Sequence, residues 1–182
     1  MLRQERNPRR SGQLEMEGAA SISASEVIIR GFRLKDLRQV LRIEREVFRE
    51  KAYGAWIFLG HALRDRHGFF VAEDGAGRVL GFILVRRFGG WLFRRQGGIT
   101  SISVDAPFRG RGIGSRLLAQ ALSFLEEFGA KEITLEVHAD NKPAAALYRK
   151  FGFRHKEWLP DYYGPGQAGV RMVLDKTEKS AE

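Results

Sequence analysis

The chain has 182 residues, 43% of them hydrophobic and 29% charged, which suits one globular domain with a full core. It has no cysteine and four scattered histidines, so disulfides and thiolate chemistry are excluded and no metal is expected. Its net charge of +9 suits an anionic partner or cofactor. The arginines are dispersed, so nucleic acid is not expected as a partner, although ribosome association is compatible with the charge. No apolar run approaches the roughly 20 residues of a membrane span. No apolar core of a signal peptide is visible either, so a cytoplasmic protein is expected.

Residues 1–25 hold polar residues without apolar periodicity and are expected to form a disordered tail. Val27 to Phe32 predicts a first strand. A helix follows from Leu34, with Leu37, Val40, Leu41, Ile43 or Glu44, Val47 and Phe48 on one stripe. After a break at residues 49–52, a second helical run is expected from Tyr53 to about Arg66. Phe69 to Glu73 and Val79 to Arg87 are strands joined by the turn Asp74-Gly-Ala-Gly77. Residues 88–98, rich in glycine and carrying Trp91 and Phe93, are expected to be a loop.

Ile99 to Val104 is the next strand, β-branched at Ile99, Thr100, Ile102 and Val104 and stopped by Asp105-Ala-Pro107. Arg109-Gly-Arg-Gly-Ile-Gly114 then leads into a helix with Leu117, Leu118, Ala121, Leu122 and Leu125 on its apolar face. Lys131 to His138 is a strand, Asn141 caps a helix running to Lys150, and strands follow at Phe153 to Trp158 and Val170 to Leu174. Between these two strands lies the turn-rich Leu159-Pro-Asp-Tyr-Tyr-Gly-Pro-Gly166. Residues 176–182 are expected to fray, leaving one domain over residues 26–175.

The bend after the Ile99 strand is built to bind an anion. A helix start leaves its first N–H groups unpaired and carries positive partial charge. Glycines keep Cβ atoms away from those donors, and Arg109, Arg111 and Arg116 add formal charge. No Gly-Lys-Ser/Thr follows, so this is not a Walker loop. Only one further strand–helix unit follows, too little for a doubly wound dinucleotide fold.

Arg109-x-x-Gly112-x-Gly114 resembles the acetyl-CoA signature of the GNAT superfamily of N-acetyltransferases. Asn141 followed by Ala145-Ala-Leu-Tyr-Arg-Lys-Phe-Gly-Phe153 resembles that superfamily's second motif. The chain is most similar to archaeal N-terminal acetyltransferases and bacterial ribosomal-protein alanine acetyltransferases. The resemblance implies an α/β (α+β) fold: one mixed, mostly antiparallel sheet of about seven strands flanked by four helices. Two central parallel strands would splay into a V-shaped cleft for acetyl-CoA, with the acceptor amine entering from the opposite side.

The resemblance also assigns roles. The backbone of Ile102, Ser103 and Val104 would pair with the pantetheine arm, with an N–H near Val104 as oxyanion donor. Arg109, Gly110, Arg111, Gly112, Ile113, Gly114 and Ser115 would hold the pyrophosphate. Asn141 would bond the cofactor or cap its helix. Tyr148 stands where the family places the proton donor to sulfur, and a phenol is protonated at neutral pH. Relatives often start the central strand with a His or Glu base, and here that position is Gly98. Glu136 on the neighbouring strand is the remaining candidate base, or a carboxylate paired with an arginine. His138, of the same parity, ranks below it. Phe48, Glu50 and Tyr53 near the first helix–helix junction, and Tyr162 and Tyr163 in the last loop, are expected to contact substrate.

An α-amine is roughly 10–15% neutral at pH 7, a lysine ε-amine less than about 0.1%. A site with a weak base therefore favours protein N-termini. The alternatives are a small amine or lysine acceptor, or an acyl-CoA-binding module of weak activity.

Overall fold

A computed structural model describes residues 26–48, 60, 68–90 and 93–177; for Val47, Phe48 and Phe93 it describes only the backbone. The seven strands are β1 (Ile28–Gly31), β2 (Phe69–Glu73), β3 (Val79–Gly90), β4 (Phe93–Val104), β5 (Glu132–His138), β6 (Arg154–Leu159) and β7 (Gly169–Asp175). They form one sheet in the order β1-β2-β3-β4-β5-β7-β6. Three α-helices are described: α1 (Leu37–Phe48), α2 (Ile113–Glu127) and α3 (Lys142–Lys150). The expected run from Tyr53 to Arg66 lies outside the described residues apart from Gly60, which is helical, as do the first 25 residues and residues 178–182. No described helix is long and apolar enough to cross a membrane.

Each face of the sheet carries a buried cluster. Leu117, Leu118, Ala121, Leu122 and Leu125 of α2, the stripe read from the sequence, pack in one cluster with Ile83, Val85, Ile99, Ile133 and Leu135. Val40 and Ile43 of α1 pack on the other face with Phe69, Val71, Phe82 and Leu84. Each of these Leu, Ile, Val and Phe side chains contributes about 1.5–3 kcal/mol by burial. Alternation along the strands sorts the remaining residues. Arg86 and Phe88 follow Phe82 and Leu84 onto the α1 face, and Thr134, Glu136 and His138 lie there too, opposite Ile133, Leu135 and Val137.

Residues 88–98 correct the sequence reading. On either side of Trp91 and Leu92, which lie outside the described residues, they are strand: β3 runs to Gly90 and β4 begins at Phe93, paired Phe88 to Gln96, Arg87 to Gly97 and Arg86 to Gly98. Backbone pairing carries these glycines into the ladder despite their low strand preference. The C-terminal tail is also tied down further than expected. The Lys176 N–H donates to Lys131 O at 2.9 Å, and its ammonium pairs with Glu126.

All neighbours are antiparallel except β4 and β5, and that pair is short. It runs from Gln96–Glu132 to Ile99–Leu135 and stops. Register against β3 passes from Val85–Ile99 to Leu84–Ser101, so Thr100 is an extra residue on β4. A bulge of this kind bends its strand and sharpens its twist. It falls where β4 leaves β5. Beyond it β4 keeps only β3, and β5 keeps only β7.

The start of the domain is pinned by charge. Asp36 is 1% exposed, accepts from both terminal nitrogens of Arg30 at 2.7 and 3.0 Å, and takes the Arg33 N–H at 2.8 Å. Arg30 also pairs with Glu73 of β2. Burial alone would raise the Asp36 pKa, but the Arg30 pair and the Arg33 N–H outweigh it and hold the carboxyl below its ordinary value. The stability this contributes is present above about pH 3.9 and is lost as pH falls through the lower folded-state value. Asp36→Asn is therefore expected to cost about 3 kcal/mol at pH 7 in urea denaturation. Its deficit against the unsubstituted chain should shrink below about pH 3.9.

Candidate active site

The bulge at Thr100 leaves an open backbone edge. The Asp105 N–H donates to Leu80 O at 2.9 Å, which fixes the parity of the β3–β4 ladder. Amide groups alternate between edges in an antiparallel pair, so Ser101 and Ser103 turn theirs to β3 while Ile102 and Val104 turn theirs to the split. Of the three residues expected to meet an extended ligand arm, the backbone of Ile102 and the N–H of Val104 are available, and the backbone of Ser103 is committed. The hydroxyls of Thr100, Ser101 and Ser103 are buried without a hydrogen-bond partner among the described residues.

Next to that edge lies the glycine bend. Gly110 has φ +75° and Gly112 φ +78°, the left-handed region that an L side chain enters at a cost of about 1–2 kcal/mol. A Cβ at either would meet nothing within 4 Å, so conformation and not crowding demands glycine there. Gly112 is the N-cap of α2 without a side-chain cap, and the first helical bond is Arg116 N–H to Gly112 O. The amides of Ile113, Gly114 and Ser115 thus precede the helical ladder and form an anion cradle. Arg109 donates Nε–H to Val104 O at 3.0 Å, joining bend to strand. The Arg111 guanidinium lies 5.7 Å from the centre of the Phe108 ring, which Arg78 also covers at 4.8 Å. A Cβ at Gly114 would touch Leu147 at 3.5 Å and Val104 at 3.8 Å, so bend, strand end and α3 share one lip.

On that lip Tyr148 is 5% exposed, its ring edge-on to Phe153 at 5.9 Å. Burial pushes the phenol well above its ordinary value. No described residue hydrogen-bonds its hydroxyl. Asn141 caps α3 through Oδ1, accepting the Ala144 N–H at 3.2 Å, which leaves its amide nitrogen for another partner.

The opposite face carries carboxylates and aromatics. Glu136 accepts from Arg171 Nε at 2.9 Å through Oε1, and Arg171 also pairs with Glu157 of β6. The pairing holds the guanidinium above its ordinary pKa, chiefly through the Glu136 hydrogen bond. Glu136 is thus an ion-paired carboxylate whose Oε2 remains open. His138 Nδ1 accepts the Asp140 N–H at 3.2 Å, which places the proton of the neutral ring on Nε2 and occupies the lone pair a base would use.

Tyr163 lies 5.3 Å from the His138 ring and 5.0 Å from Tyr162, which is 50% exposed. Their loop is closed by Asp161, at φ +51°, accepting the Gly166 N–H at 2.6 Å. Both tyrosines therefore stand over the end of β5 on the Glu136 face. Phe48 ends α1 with its side chain outside the described residues, as are Glu50 and Tyr53. Two neighbours escaped the sequence reading, Arg171 and Phe88. Arg171 had a weak signal, a lone cation in the apolar run of β7.

The chain matches the family model "Acetyltransferase (GNAT) family" over residues 34–153. An N-alpha-acetyltransferase of Sulfurisphaera tokodaii is 35% identical over 166 residues, covering 87% of this chain and 98% of the relative. A protein called putative ribosomal protein bS18-alanine N-acetyltransferase, from Bacillus subtilis, is 27% identical over 76% of this chain and 88% of its own length. Among solved structures, Ard1 from Thermoplasma volcanium superposes with a TM-score of 0.75 at 31% identity, over 82% of this chain and 97% of that one. The chain belongs to the GNAT family of acetyltransferases. Its donor is acetyl-CoA, and the split edge and the glycine bend fit such a group.

Gly112→Ala is expected to weaken coenzyme A binding about tenfold, through the strain of a left-handed alanine. Isothermal titration calorimetry of the variant checks this; an unchanged Kd would separate the bend from the cofactor.

Proposed function

We propose that this chain transfers the acetyl group of acetyl-CoA to the α-amine of protein or peptide N-termini. The observation that carries the reading is the split between β4 and β5, with the anion cradle on one side and Glu136, Tyr162 and Tyr163 on the other. The archaeal relatives, named N-alpha-acetyltransferases and matched over nearly their whole length, support it. Bound acetyl-CoA supplies an activated acyl group.

The chain's own residues do the rest. The Ile102 N–H and C=O hold an extended arm, and the Val104 N–H is the donor for an oxygen that gains charge. Glu136 takes the proton of the incoming amine on the oxygen that Arg171 does not hold. Tyr148, kept protonated by burial, gives its proton to the departing sulfur. With no cysteine in the chain, no thiol carries the acetyl group on the way, and amine and donor react while both are bound. An α-amine, already roughly 10–15% neutral at pH 7, asks little of a base whose charge Arg171 shares.

Thiol release with acetyl-CoA should require peptides with a free N-terminus, and fragment masses should place the acetyl group on the first residue. Acetylation confined to lysines of blocked peptides would overturn the reading. Tyr148→Phe should lower kcat about 100-fold with KM little changed. Because burial raises the phenol's pKa, the unsubstituted enzyme should show no alkaline limb from this group below about pH 10. Glu136→Gln should lower the rate most toward acid pH, where more of the amine is protonated; an unchanged pH–rate profile would remove Glu136 as the base.

A further inference from the structure

Gly98 leaves a gap on the acceptor side of the sheet that another strand fills. It pairs with Arg86 of β3 and Thr134 of β5, one residue before the β4–β5 pairing ends. A side chain there would project on the Glu136 face. Its Cβ would lie 3.1 Å from Cε2 and 3.7 Å from Cζ of Phe88. Phe88 itself stands opposite Gln96, so its ring leans two residues along the strand to cover Gly98. The bulge at Gly89, φ +82°, lies just past it. The Arg86 guanidinium is 5.1 Å from the ring centre and takes part of its surface. Even so, Phe88 remains 41% exposed, a large apolar surface beside the point where the two strands separate.

We propose that Phe88 is a specificity-determining residue, the apolar wall against which the side chain of the acceptor's first residue packs. The inference rests on the N-terminal acetyltransferase reading of the same site. Glu136 follows Thr134 by two residues, about 6.6 Å along β5, so a substituent on the carbon bearing the amine reaches the ring over Gly98. The ring occupies space that glycine at position 98 vacates, which keeps the subsite shallow and favours small first residues. Removing the ring deepens it. Such size changes in an apolar pocket shift discrimination roughly 10- to 200-fold.

The test compares the unsubstituted enzyme with Phe88→Ala, Phe88→Leu and Phe88→Trp. Peptides differ only in their first residue, across glycine, alanine, valine, leucine and phenylalanine, and kcat and KM are measured separately. Phe88→Ala should raise kcat/KM for leucine and phenylalanine relative to alanine at least about tenfold, mainly through KM, with Phe88→Leu between. Phe88→Trp should shift the ratio the other way. A structural role alone would change kcat/KM by the same factor for every peptide. Equal ratios across the panel, in variants whose thermal unfolding matches the unsubstituted enzyme, overturn the proposal. If the unsubstituted enzyme acetylates no free N-terminus, the function reading fails separately. The same size ratio is then read on the primary amines it does acetylate, where a flat ratio again overturns the role of Phe88.

Discussion

The structure turns on one interrupted pairing. Two parallel strands at the centre of a sheet would ordinarily satisfy each other's backbone along their whole length. Here the ladder between β4 and β5 ends at Ile99–Leu135 because one residue, Thr100, is extra on β4. The Ile102 amides and the Val104 N–H are left facing a gap in the middle of a buried sheet. Backbone groups in such a place need a partner, and we propose an extended ligand with amides of its own in that role. The unpartnered hydroxyls of Thr100, Ser101 and Ser103 cluster on the same stretch.

The two sides of that gap differ in chemistry. One side ends in the left-handed glycines, the start of α2 and three arginines, a concentration of positive partial and formal charge. The other side carries Glu136 and Glu157 bridged by Arg171, with Tyr162 and Tyr163 over the end of β5. The first side carries the charge that attracts an anion. A ligand bearing an amine is better placed on the second, where a carboxylate oxygen remains open. Both sides rest on rigid elements, because α2 buries its whole apolar stripe and β7 pairs with β5 along all seven residues of that strand.

Much of this was legible in the sequence because the signals are local. The glycine bend, the amphipathic stripe of α2 and the Asn141 cap each lie within a few consecutive residues, and the structure places them as expected. The pairing of residues 88–90 with 93–98 was not legible. Glycines and aromatics mimic a loop there, and only the ladder of β3 with β4, joined by β5 from Gln96 on, makes it strand. The same holds for side-chain neighbours. Arg171 meets Glu136 across 35 positions of sequence, and Phe88 covers Gly98 from another strand. Periodicity gave the face of Glu136 but not its partner, since alternation along one strand carries no register to the next.

The open edge of β4 is the feature on which cofactor binding depends. Amide hydrogen exchange resolved residue by residue, with and without coenzyme A, tests it directly. Ser101 and Ser103, bonded to β3, should exchange slowly in both states, while Ile102 and Val104 should exchange quickly alone and become protected when coenzyme A binds. Protection of Ile102 and Val104 without ligand, or no change there on binding, would contradict it.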